Sequence, residues 1–168
     1  MPVPILKIKT YPDPLLKNKA KKVAVITDVE KKLFSDMAET MYLNQGIGLA
    51  ATQVGVDKQL VVIDVGEGLV KIANPVIMKR IGWGCIEEGC LSVPGVQVKI
   101  KRAQRILIQF LNEEGEIVTC EVNGLYARAL QHEMDHLFGK LIVDYLNPIK
   151  RLFISKNYKK RVDKTKNL

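Results

Sequence analysis

The chain holds two histidines among 168 residues, and both fall in one short stretch, Gln131-His132-Glu133-Met134-Asp135-His136. Two histidines placed at random in such a chain sit four apart only about one time in a hundred. Four residues are close to one helical turn, so on a helix both imidazoles face the same way and converge on one ion. Leu125 and Ala129 continue the same stripe toward the N-terminus, which places the imidazoles on the apolar side of the helix. Two solvated polar residues would need no such placement. The fold must therefore press this helix against a wall that supplies at least one further ligand.

With no histidine left over, that ligand is Cys, Asp or Glu. A zinc endopeptidase of the extended type carries a third histidine three residues past a glycine; here Gly139 fits the spacing, but Ile142 occupies the ligand position. Thiolate binds zinc and ferrous iron strongly. Cys90 lies in Glu88-Gly89-Cys90-Leu91-Ser92, just before the Pro94-Gly95 turn; Cys85 is its rival; Cys120 falls in a strand-like run, where a buried free thiol is the ordinary outcome. Two architectures stay open. Cys85, Cys90, His132 and His136 would close a four-ligand structural zinc site within a nucleic-acid-binding module. A three-ligand site instead leaves one position for water, and Glu133 beside it acts as a base. A chain of this length buries enough surface to need no metal staple, and the structural site leaves Glu133 without a task.

Composition narrows the remaining classes. With 47% hydrophobic and 26% charged residues, disorder, collagen-like repeats and coiled coil are excluded. No apolar run approaches the ~18–20 residues of a membrane-crossing helix, so no membrane partner is expected. Met1-Pro2-Val3-Pro4-Ile5 lacks a basic region followed by an unbroken apolar stretch, so no signal peptide is expected and the cytoplasm is the expected location. Three cysteines are too few and odd in number for a disulfide scaffold, which agrees with a reducing compartment. The net charge of +8 invites a nucleic-acid reading, but residues 148–168 carry eight basic residues and one acid, and so hold +7 of it. Residues 1–147 are close to neutral. The basicity belongs to a C-terminal segment.

Asp13 before Pro14 predicts a short helical start. Thr27-Asp28-Val29-Glu30 is a capping box, and the apolar spacing of Leu33, Phe34, Met37, Ala38 and Met41 predicts a helix over 28–44, ended by Gly46 and Gly48. Gln59-Leu60-Val61-Val62-Ile63-Asp64-Val65 reads as a buried strand. Further strands are expected over 70–73, 85–90, 96–101, 104–111 and 116–122, with turns at Pro94-Gly95 and Glu114-Gly115. A second helix is expected over 125–138 with Gly139 as its stop, and a last, basic helix over about 148–168. This order predicts an α+β fold: a single domain over residues 1–168, with antiparallel or mixed sheets packed around a central metal-binding helix, plus a C-terminal helix.

Gly46-Ile47-Gly48-Leu49-Ala50-Ala51-Thr52-Gln53 superficially matches a dinucleotide fingerprint. That motif follows a strand and opens a helix, whereas here a helix comes first. The glycines are better read as allowing close backbone approach, to a neighbouring strand or to a substrate chain. Gln53 is a neutral amide suited to meeting a developing oxyanion.

Taken together and in this order, the glycine motif, Glu88-Gly89-Cys90-Leu91-Ser92 and Gln131-His132-Glu133-Met134-Asp135-His136 resemble the three signature motifs of the peptide deformylases, over roughly residues 10–147. The resemblance implies a metal-dependent hydrolase that removes the formyl group from N-terminal formylmethionine of new bacterial or organellar polypeptides. It implies one divalent metal on Cys90, His132 and His136, ferrous iron in the cell with zinc or nickel as substitutes. It also implies Glu133 as the base, with Gln53 and the Leu91 backbone N–H at the oxyanion. Ile47, Ile86, Leu125 and Ala129 are the implied methionine pocket, and Gly46, Gly48 and Gly89 lie along the peptide. The implied partners are N-formylmethionyl nascent peptides and, through the basic helix, the ribosome near the exit; the protein is expected to act as a monomer in the bacterial cytoplasm. The runner-up enzyme is a zinc metallopeptidase acting on internal amides. Outside these sets, Glu88 is a candidate partner of Arg102, Arg128 a candidate fringe of the pocket, and Asp135 and Ser92 are read as structural.

Overall fold

The computed structural model describes residues 5–166, with side-chain surroundings for residues 5–160. The N-terminal reading over residues 1–4 therefore lies outside the described residues, as do the side chains of Arg161, Lys164 and Lys166 in the basic segment. Among the described residues three α-helices, α1 (Asp28–Leu43), α2 (Gly124–Leu137) and α3 (Pro148–Lys166), accompany five strands. These are β1 (Gly48–Ala50), β2 (Leu60–Ile63), β3 (Val70–Glu88), β4 (Val98–Leu111) and β5 (Ile117–Asn123). The strands form one sheet in the order β1-β2-β3-β4-β5, and every registered pair is antiparallel. The α+β expectation holds, and the sheet is antiparallel rather than mixed.

β2 explains how the layers assemble. Its residues alternate between two cores: Val61 and Ile63 join Ala127, Leu130 and Leu137 of α2, while Leu60 and Val62 join Phe34, Met37 and Met41 of α1. Both faces of the strand are thus covered, which is why it reads as a continuous β-branched and aliphatic run. A third cluster holds Leu16, Val93, Val98, Ile100 and Leu141 through Val143, and receives Ile154 and Tyr158 of α3.

α1 begins as its capping box predicts, with Thr27 accepting from the Val29 N–H and Glu30 accepting from the Thr27 N–H at 2.9 Å. Its end differs from the expectation. The left-handed residue that stops it is Gln45 (φ 56°), not a glycine. The Gln45 N–H donates to Tyr42 C=O at 2.9 Å and the Gly46 N–H to Met41 C=O at 3.0 Å, the paired bonds of a Schellman ending. Gly46 instead lies against Leu91: a Cβ there would stand 2.8 Å from Leu91 Cδ1.

Segments expected as separate strands fuse into long ones. β3 runs through Pro75 and Gly82, because an extra residue at each of two register shifts, Ala73/Val76 and Ile77/Lys79, lets the chain bulge past its proline. Asn74 (φ 51°) fixes the bend by accepting from the Val23 N–H and donating to its C=O. Beyond the bulges β3 and β4 form a two-stranded ribbon whose last pairs, Glu87↔Lys99 and Glu88↔Val98, deliver the Cys90 segment to α2. The Asp13 signal yields only a four-residue 3-10 turn, Pro14–Lys17.

α2 stops at Gly139 for two reasons. The residue is left-handed (φ 73°), and a Cβ on it would lie 2.3 Å from the Lys17 carbonyl oxygen. Gly139→Ala is expected to cost about 3 kcal/mol from backbone strain and overpacking together. Thermal unfolding checks this; the expected fall in Tm is roughly 6–12 °C, and an unchanged Tm contradicts it.

Candidate metal centre

α2 is anchored before any ligand is considered. Gln131 uses its side-chain amide to accept from the Ala103 N–H and donate to the Ala103 C=O, at 3.0 and 2.9 Å, tying the helix to β4. Thr52 donates to the His136 C=O at 3.1 Å and holds the far end. Between these anchors His132, Glu133 and His136 face the loop after β3. Cys90 Sγ lies 3.2 Å from His136 Nε2, and His136 Nε2 lies 3.2 Å from His132 Nε2. The donor atoms of Cys90, His132 and His136 all fall within 4.8 Å of one another. A tetrahedral zinc-like ion with ordinary bond lengths separates its nitrogen ligands by about 3.3 Å and sulfur from nitrogen by about 3.6 Å. The three donors thus sit near the spacing that one ion imposes. Cys85, the alternative ligand, is exposed on β3 and is not in this group. The four-ligand structural site is therefore not formed. Cys120 is half-buried in β5, where burial pushes its thiol pKa up.

The orientation of His132 is set from behind. Its Nδ1 donates to Glu88 Oε2 at 3.0 Å, leaving Nε2 with a lone pair toward the other donors. Arg102 clamps Glu88 with two bonds of 2.8 Å, then donates to Asp135 at 2.7 Å and to the Tyr145 hydroxyl at 3.0 Å. Tyr145 itself donates to Asp135 at 2.7 Å. Burial works against ionisation of Glu88, but the bonds from Arg102 and then His132 outweigh it and bring its carboxyl down to about 2. The expected Glu88–Arg102 pair is present. The roles of Asp135 and Tyr145 in holding Arg102 have no local signature in the sequence.

The acid–base group has a different setting. Burial, aided by the nearby Glu88 charge and opposed by His132, pushes the Glu133 carboxyl up to about 7 before the charge of any bound cation is counted. Glu133 Oε2 and His136 Nδ1 are buried without a hydrogen-bond partner among the described residues. A carboxyl with a free lone pair beside three converging donors fits a site built to take a cation and a water. Gly48 makes the room: a Cβ on it would lie 2.5 Å from Glu133 Oε1 and 2.9 Å from Glu133 Cγ. Gly48→Ala is expected to displace that carboxyl and lower turnover at least tenfold with bound metal unchanged; wild-type kcat in the variant contradicts this reading.

These groups floor a pocket of about 410 Å3, whose lining brings together Gly46, Ile47, Gly48, Gln53, Ile86, Gly89, Cys90, Leu91, Leu125, Ala129, His132 and Glu133. His136 lies beneath, buried. Arg128 lines the same pocket, with Gln45, Glu87 and Glu88. Ile47 and Leu125 remain substantially exposed, as walls of an unfilled apolar pocket would be. Of the three glycines expected along a peptide, Gly46 and Gly48 make room for Leu91 and Glu133, while nothing lies closer than 4.0 Å to a Cβ on Gly89. Gln53 is fixed by the Ala50 N–H at 2.8 Å, and its Nε2 donates to the buried Ser92 hydroxyl at 3.1 Å while lying 3.8 Å from Cys90 Sγ. Ser92, read as structural, thus orients an amide that faces the cysteine.

Comparison with known proteins places these features in a family. The family model described as polypeptide deformylase matches residues 5–152. A peptide deformylase of Thermodesulfovibrio yellowstonii is 45% identical, over 92% of this chain and 97% of that protein. Peptide deformylase 1 of Ralstonia nicotianae is 48% identical, over 93% and 95%. The crystal structure of the Ehrlichia chaffeensis peptide deformylase in complex with actinonin superposes with a TM-score of 0.90 at 41% identity, covering 94% of this chain and 97% of that one. With the family model spanning most of the residues and the relatives matched almost end to end, the chain belongs to the polypeptide deformylase family.

Proposed function

We propose that Cys90, His132 and His136 hold one divalent metal, and that Glu133 is the base with which this hydrolase removes the formyl group from N-terminal formylmethionine of newly synthesised polypeptides. The carrying observation is the convergence of three donor atoms beside a buried carboxyl at the floor of one pocket. When bound, the ion supplies a Lewis acid that lowers the pKa of water and polarises a carbonyl oxygen. Glu133 takes a proton from the attacking water and returns it to the departing amine, leaving formate and a free N-terminus. Gln53 and the Leu91 backbone N–H meet the charge that develops on the formyl oxygen. Ile47, Ile86, Leu125 and Ala129 receive the methionine side chain. β1 is an edge of the sheet, so the backbone from Gly46 to Gly48, with Gly89 opposite, accepts the peptide as an added strand. Formyl is the smallest acyl group, and a close wall rejects larger ones.

Incubation with a formyl-Met tripeptide and its unformylated twin tests this reading. Formate with an intact, free-amine peptide is expected; internal cleavage without formate would instead make the protein a metallopeptidase.

The thiolate–imidazole donor set suits ferrous iron, with zinc or nickel as substitutes. Iron is the proposed ion in the cell; protein isolated without air that holds zinc alone contradicts this. Residues 1–168 act as one catalytic domain and a monomer in the bacterial cytoplasm, and among the described residues no helix is long and apolar enough to cross a membrane. The basic α3 docks on the ribosome near the exit. Cosedimentation with ribosomes at low salt should fall when Lys156, Lys159 and Lys160 are changed to Gln, and unchanged cosedimentation returns those lysines to solvent.

A further inference from the structure

The opposite face of α2 closes a second cleft. Gln131, Met134, Asp135 and Phe138 line it with Ile77, Arg80 and Trp83 of β3, Lys101 and Arg102 of β4, and Lys140 and Tyr145, around about 280 Å3. Two large rings there are more than half exposed, Trp83 at 55% and Phe138 at 51%. Lys101 Nζ lies 5.6 Å from the centre of the Trp83 ring, and Lys140 Nζ lies 3.6 Å from that of Tyr145. The cleft's single acid, Asp135, is already paired with Arg102, which is further neutralised by Glu88. Among the described residues Arg80, Lys101 and Lys140 make no ion pair. The cleft therefore offers two exposed rings, Trp83 with Lys101 against one side and Phe138, together with three cations that have no carboxylate partner among the described residues.

We infer that this cleft binds single-stranded RNA, with a base stacked on Trp83 and the flanking phosphates held by Arg80, Lys101 and Lys140. An acidic peptide would satisfy the cations and leave the rings in water, and an apolar segment would do the reverse. A nucleotide unit covers both at once. A duplex hides its base faces, which leaves a single strand. The cleft uses none of the proposed catalytic residues and stands without the deformylase reading. Only the choice of RNA rests on that reading, through the chain's action on newly made polypeptides. Tyr145 of the cleft and Ile154 and Tyr158 of α3 pack against the same apolar cluster.

Trp83 is the chain's one tryptophan, and its fluorescence reports stacking directly. Titration with a ten-nucleotide oligoadenylate should quench it, with affinity falling as salt rises at a log–log slope of about −2 for three phosphates. By anisotropy of a labelled oligonucleotide, Trp83→Ala should weaken binding by about tenfold or more, and Trp83→Phe should retain most of it. Lys101→Gln with Lys140→Gln should reduce the slope to about −0.7. Formate release from a short formyl peptide should be unchanged in all these variants, which separates a cleft effect from a folding defect. The inference is overturned if binding leaves the fluorescence unaltered, or if polyglutamate of matched charge competes equally. It is also overturned if free AMP binds as tightly as the oligomer, or if changing Lys156, Lys159 and Lys160 to Gln abolishes binding while the cleft variants do not.

Discussion

Replacing Glu133 with glutamine is expected to lower formate release by about 10³-fold or more while the protein keeps its metal. Glutamine fills the same volume beside Gly48, so the pocket and the three donor atoms stay where they are. What it loses is the ability to take a proton from water and return it to the amine. Burial pushes the Glu133 carboxyl up to about 7, which marks its charged form as costly there, so an uncharged amide relieves a desolvation cost and Tm should not fall. Steady-state kinetics on a formyl-Met peptide, with metal measured on the same sample, decides the matter. A variant with full metal and activity within tenfold of wild type assigns the base elsewhere.

The second large effect separates the cysteines. Cys90→Ala should reduce bound metal from one ion per chain to less than about a tenth of that, and activity with it, because two imidazoles alone do not complete the donor set. Cys85→Ser should change neither, since Cys85 is exposed on β3 and outside the converging group. Elemental analysis of the two variants after gel filtration checks both expectations. Loss of metal from Cys85→Ser would restore the four-ligand structural reading. Retention in Cys90→Ala would remove Cys90 from the site.

Signals that act within a few residues were readable before the structure. The capping box sets the start of α1, and the spacing of His132 and His136 sets the active face of α2. Gly139 marks the stop of α2, although only the structure shows the Lys17 carbonyl behind it. β1 escaped notice because three residues with a glycine carry no period, yet all three are buried between layers. The β3–β4 ribbon reads as separate segments in the sequence because much of the β3 surface is solvated and shows little alternation. The network Tyr145–Asp135–Arg102–Glu88–His132 joins four separate stretches of chain, and no spacing rule reaches across them. The sequence reads Gly48 as allowing close approach of a neighbouring strand or a substrate chain; the structure adds the Glu133 carboxyl as a group that a Cβ there would strike.

The central claim is that one ion, held by Cys90, His132 and His136, makes this chain a formyl-peptide hydrolase. Chelator-stripped protein titrated with nickel or zinc under nitrogen, with formate release read at each step, tests it most directly. Activity should be absent at the start, rise in proportion to added ion, and break sharply at one ion per chain. Full activity in the stripped protein, or a break at two or more ions, would contradict the account.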